Sequence, residues 1–118
     1  MLQTNLTHIL TESDFHETLA KKENVMICCG RMGPMCIPVY GAMQELKGTY
    51  GHVAFRDMEF DGPIGHLIRD LPECRGFRGL PFTVYFKNGK VVKATTSIQS
   101  ADQVREILDS QFTAKIPQ

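Results

Sequence analysis

The chain has no tryptophan, no net charge, no long apolar run and no Cys-x-x-Cys pair. Each absence excludes something. Thirteen Lys and Arg balance thirteen Asp and Glu, so no overall field draws the protein to nucleic acid or to an anionic membrane. No apolar stretch approaches the roughly 20 residues needed to span a bilayer. The opening MLQTNLTHIL lacks the basic start and long apolar stretch of a secretory leader. These features point to the reducing cytosol, where clustered cysteines serve redox or metal chemistry more often than structural disulfides. Repeats, low-complexity tracts and linkers are missing too. A single domain over residues 1–118, 42% hydrophobic, is long enough to bury a core.

What is present is sulfur. Residues 28–36 read CCGRMGPMC and hold three of the four cysteines and two of the six methionines. The fourth cysteine, Cys74, is remote, so this is no disulfide scaffold. The four histidines are scattered, and none stands at a recognisable spacing from a cysteine, which argues against a Cys–His hydrolase. Asp57, Glu59 and Asp61 alternate at a strand end and read as a solvated face rather than a metal site.

The order of elements is readable from local signals. Residues 6–9 suit a short strand. Thr11 and Asp14 cap a first helix, with Leu10 and Phe15 placed as a hydrophobic staple, and the helix fades near Lys22. Residues 24–29 are almost continuously apolar, as in a strand buried on both faces. A helix follows, starting at Pro34 or at Pro38 and running to Tyr50, with Val39, Ala42, Met43, Leu46 and Tyr50 on one face. Residues 52–58 form a strand. A helix begins near Asp61-Gly-Pro63, carries Ile64, Leu67, Ile68 and Leu71, and stops at Pro72. Two β-rich runs flank Lys87-Asn-Gly-Lys90, a type I′ hairpin signal. Ser100 and Gln103 form a capping box for a last helix with Val104, Ile107, Leu108 and Phe112 on one face. The expected architecture is a three-layer α/β/α fold with a mixed sheet of four or five strands, closed by a hairpin and a helix.

This order resembles thioredoxin. Arg78-Gly-Leu-Pro-Phe82 and Phe86-Lys-Asn-Gly-Lys90 are similar to the family's cis-proline segment and final hairpin, and Gly33-Pro34 stands where the family carries Cys-Gly-Pro-Cys. The likeness covers residues 11–112. It implies a thioredoxin-like fold, a cis bond before Pro81 and a place for that proline beside the Gly33–Pro34 turn. The departures concern chemistry. Met32 and Met35 replace the two cysteines, and a thioether cannot form a mixed disulfide. By the same resemblance the family's buried acid falls at Met26 and its lysine partner at Phe55. The tryptophan before the motif becomes Arg31, the helix-kinking proline becomes Tyr40, and a glycine on the substrate-facing loop becomes Ser97. The family's dithiol mechanism therefore does not transfer residue by residue.

Three functions remain. The first is atypical thiol–disulfide chemistry, with Cys36 as nucleophile at the positive end of a helix dipole, Cys29 or Cys28 as its partner, and Arg31 nearby. Strand alternation lets only one of the pair face Cys36. If the helix starts at Pro38, Cys36 lies in the loop before it, more exposed and closer to Cys29. The second is a redox-inactive binding or chaperone-like module. There Leu80 beside Pro81 offers main chain for strand addition, and Met32, Gly33, Pro34 and Met35 provide an adaptable apolar patch. The third is Cu(I) binding by thioether and thiolate. No cofactor is called for, and no zinc-type metal site is expected. The expected partners are a protein client or a thiol reductase, acting on a monomer.

Overall fold

The computed structural model describes residues 2–76 and 79–112. Arg78, part of the cis-proline motif, lies outside the described residues. The elements in chain order are β1 (Thr7–His8), α1 (Glu12–Lys21), β2 (Asn24–Gly30), α2 (Ile37–Leu46) and β3 (Ala54–Glu59). They continue with α3 (His66–Arg69), a 3₁₀ turn (Pro72–Cys74), β4 (Phe82–Lys87), β5 (Lys90–Thr96) and α4 (Ala101–Gln111). The five strands form one mixed sheet in the order β1-β3-β2-β4-β5. Strand β2 lies at its centre, parallel to β3 and antiparallel to β4. All seven of its residues are buried, which explains its unbroken apolar run.

The pleat of β2 divides the interior. Met26 and Cys28 join Val39, Tyr40 and Met43 of α2 and Val104 and Leu108 of α4. Val25, Ile27 and Cys29 join Phe15 of α1 and Ile68 of α3 on the other face. Each fully buried large apolar side chain contributes roughly 1.5–3 kcal/mol. A slip of one residue would exchange the two sets, so the register is firmly held.

Local signals hold in most places. Asn88 and Gly89 take positive φ values of 52° and 79°, as a type I′ turn requires. Ser100 and Gln103 close a reciprocal capping box. Thr11 caps α1 by accepting from the Asp14 N–H at 3.0 Å. The Leu10 staple does not form, because Leu10 is exposed and Ile9 takes the place beside Phe15 in the core. Helix α2 ends at Leu46, not Tyr50, since the chain turns through residues 47–49 with Tyr50 N–H donating to Leu46 O. Helix α3 is only four residues long. Turns occupy residues 61–65, where Gly65 lies so close to Phe60 that an added Cβ would meet its carbonyl oxygen at 2.2 Å. Pro72 opens the 3₁₀ turn. No helix among the described residues is long and apolar enough to cross a membrane.

Candidate functional site

The site begins where β2 ends. The carbonyl of Gly33 accepts from Cys36 N–H at 3.1 Å and from Ile37 N–H at 3.0 Å, which folds the chain back into α2. Helix α2 therefore starts at Ile37, with Cys36 as its cap residue and Pro38 in its first turn, where a missing N–H costs nothing. Cys36 is just outside the helix, yet it is 2% exposed, so it is more buried than a loop start at Pro38 implies. Its Sγ accepts the backbone N–H of Arg31 at 3.3 Å.

Gly30 makes the burial possible. A Cβ at this position would lie 2.8 Å from Cys36 Sγ, 2.9 Å from Tyr40 Oη and 3.1 Å from Pro81 Cβ. Thiol, phenol and proline ring thus converge over a glycine with no side chain. The Leu80–Pro81 bond is cis, and Tyr40 Oη donates to the Arg31 carbonyl at 3.1 Å. Sequence reasoning missed both Gly30 and Tyr40 as site residues. The available signal was a glycine ending a buried strand, a common mark of close backbone approach.

The opposite wall is the loop at residues 79–81. One donor pins it, because Ser97 N–H reaches Gly79 O at 3.2 Å and Pro81 O at 3.0 Å. Ser97 does this from φ +68°, a left-handed conformation that glycine adopts without penalty. Among the described residues no partner takes the Leu80 N–H or carbonyl. Between this loop and the turn lies an open cavity of about 430 Å³, lined by Arg31, Gly33, Pro34, Met35, Cys36, Phe60, Gly79 and Leu80. Met32 and Met35 are exposed beside it, as is Ile37. Phe60 is a wall residue that the sequence did not reveal.

The charged residues do not behave as expected. Arg31 turns its guanidinium to Asp61, through Nε to Oδ2 and through Nη2 to Oδ1 at 3.0 Å. That contact holds the Asp61 carboxyl below the usual range. Arg31 thus reaches Cys36 with its backbone, while its side-chain charge is taken up by Asp61. Asp57 is not solvated: it is 1% exposed, and it binds Thr4 Oγ1 at 2.5 Å and His8 Nδ1 at 2.6 Å. Burial raises its carboxyl, against the opposing pull of Thr4 and His8.

Strand pairing aligns His8, Asp57, Cys28, Thr83 and Thr95 in one row across the sheet, beneath α2. Among the described residues, Thr83 Oγ1 and Thr95 Oγ1 in that row make no regular hydrogen bond, and neither does the neighbouring buried Tyr85 Oη. Burial pushes the Cys28 thiol well up, and the Thr83 hydroxyl beside it pulls the other way. Cys28 shares its face and core with Cys36. Cys29 points to the opposite face, with Cys74, and burial pushes its thiol up to about 12. Of the two candidate partners, only Cys28 lies on Cys36's side, because adjacent strand residues point in opposite directions. All four cysteines are free and buried. No group of three or more His, Cys, Asp or Glu among the described residues is arranged to hold a metal ion.

A mixed sheet between helix pairs, with a reversing turn set against a cis-proline, defines a three-layer α/β/α class. No family model and no curated protein matches the sequence. Solved structures do match. A point mutant of a thioredoxin from Halobacterium salinarum NRC-1 is 16% identical, with TM-score 0.74 over 94% of this chain and 93% of that one. Oxidised thioredoxin O2 of Arabidopsis thaliana is 14% identical, with TM-score 0.74 over 95% and 98%. Plasmodium falciparum thioredoxin is 16% identical, with TM-score 0.73 over 90% and 99%. The fold is that of thioredoxin.

Proposed function

We propose that this protein acts on protein clients by thiol–disulfide exchange with an unconventional pair, Cys36 and Cys28. The observation that carries the reading is the position of Cys36: it lines the open groove, and its sulfur and the Pro81 ring both flank the space that a side chain on Gly30 would fill. An extended client segment lies along the groove, its main chain pairing with the Leu80 N–H and carbonyl. Cys36 sulfur attacks one sulfur of a client disulfide, and the other leaves as a thiol. Cys28 then attacks the Cys36 sulfur of the mixed disulfide and frees the second client thiol. The client gains two electrons, and the chain is left with a Cys28–Cys36 disulfide that a thiol reductase reduces back to two thiols in a reducing cytosol. Burial keeps Cys28 protonated, so resolution is the slow step.

A second reading drops the exchange and keeps the groove. It is favoured by the contrast between exposed Met32 and Met35 and four buried thiols. Two assays separate the readings. Reduction of insulin disulfides in the presence of dithiothreitol should fall to background in Cys36→Ser and slow sharply in Cys28→Ala. Binding of carboxymethylated α-lactalbumin should survive Cys36→Ser and fail in Met35→Glu. Wild-type insulin reduction at background, with that binding intact, would leave only the module.

A further inference from the structure

The exchange above leaves two cysteines unused, and they lie in one core on the far side of the sheet. Cys29 stands in register with Met58 of β3 and Phe82 of β4. Cys74 closes the 3₁₀ turn, its N–H donating to Leu71 O at 2.9 Å. Both belong to the cluster that contains Phe60 and Ile68. Burial raises both thiols, Cys74 is the ionisable group that acts most strongly on Cys29, and the cation of Arg69 pulls both thiols the other way. Arg69 is itself held in place, with Nη1 donating to Phe60 O and the guanidinium 5.6 Å from the Phe60 ring centre. Two thiols and one fixed cation thus form a sulfur cluster separated from Cys36 by the sheet.

We propose that Cys29 and Cys74 are a second dithiol, which a low-molecular-weight disulfide such as oxidised glutathione converts into a disulfide tying the 72–74 turn to the end of β2. Cys74 reacts first, because it is 5% exposed and Cys29 is 0% exposed. Its sulfur attacks oxidised glutathione and forms a mixed disulfide, releasing one glutathione thiol. Cys29 then attacks the Cys74 sulfur and releases the second. Two cysteine thiols are oxidised, two glutathione thiols are produced, and the two thiol protons leave with the products. Cys74 stands five residues before Gly79 in the chain, so the second pair regulates how the Gly79–Leu80 wall of the groove is held.

The test uses the full chain carrying Cys28→Ala and Cys36→Ala, incubated with oxidised glutathione. The expected result is loss of two hydrogens from the intact mass, with no retained glutathione, and tryptic peptides 23–31 and 70–75 joined. Free thiols, stable glutathione adducts or a Cys74–Cys74 dimer would overturn the proposal. Should the double variant misfold, the wild-type chain answers the same question by fragmentation between Cys28 and Cys29, which must place the link to Cys74 on Cys29. Amide exchange over residues 72–76 should slow on oxidation and recover with dithiothreitol. Unchanged exchange would remove the regulatory role. Failure here leaves insulin reduction by Cys36 untouched, so the two proposals fall separately.

Discussion

Cys28 and Cys29 are adjacent in sequence and equally buried, yet they stand in different chemistry. Cys28 sits in a polar row with Asp57 and Thr83 and shares a core with Cys36 and Tyr40. Cys29 faces an apolar core of Ile27, Met58, Phe82 and Val84, with Cys74 and Arg69 as the ionisable groups that act on it most strongly. The pleat alone makes the difference. The sheet is a partition, and sulfur on each side answers to a different helix layer. The layer over Cys28 reaches the groove through Cys36, and the layer over Cys29 reaches it through Phe60.

The comparison can be broken from either side. The largest effect is expected on the Cys29 side, from Gly65→Ala. Its Cβ would meet Phe60 O at 2.2 Å and Arg69 Nη1 at 2.5 Å. Backbone cannot yield cheaply, so the urea midpoint should report a loss of about 3 kcal/mol or more. Gly30→Ala strikes the Cys28 side. Displacing Cys36 Sγ and Tyr40 Oη should cost about 1–3 kcal/mol and lower insulin reduction further than stability alone explains.

A pH series sharpens the contrast. Burial raises the folded Cys29 thiol from 9.0 to about 12. Above pH 9 the unfolded chain ionises this thiol while the folded chain keeps its proton, so stability falls as pH rises toward 12. By pH 10 the cost is about 1 kcal/mol. Cys29→Ala should flatten that part of the alkaline limb in urea melts. The smallest effect is expected at Ser97→Gly. Relief of the left-handed serine, set against the greater freedom of glycine in the unfolded chain, should stabilise by about 0.5 kcal/mol, and the melting temperature would show it.

What was legible in the sequence was local. The apolar run of β2, the Asn88-Gly89 turn and the Ser100 capping box each depend on a few adjacent residues. The cis-proline loop and the reversing turn were also anticipated, through the likeness of short motifs. What escaped depends on distant residues. Asp57 looked solvated because Thr4 and His8, which bury it, lie 53 and 49 residues away. Helix α3 looked longer because the contact of Gly65 with Phe60 leaves no trace in apolar spacing. The face of Cys28 was undetermined, since alternation separates two neighbours without saying which helix covers which. Gly30 was overlooked because its role is the space it leaves for Cys36, Tyr40 and Pro81.

The partition of sulfur is tested most directly by oxidising the wild-type chain with excess oxidised glutathione and mapping every disulfide by fragmentation. The account predicts two links, Cys28 to Cys36 and Cys29 to Cys74, with none across the sheet. A link from Cys29 to Cys36, or from Cys28 to Cys74, would contradict it.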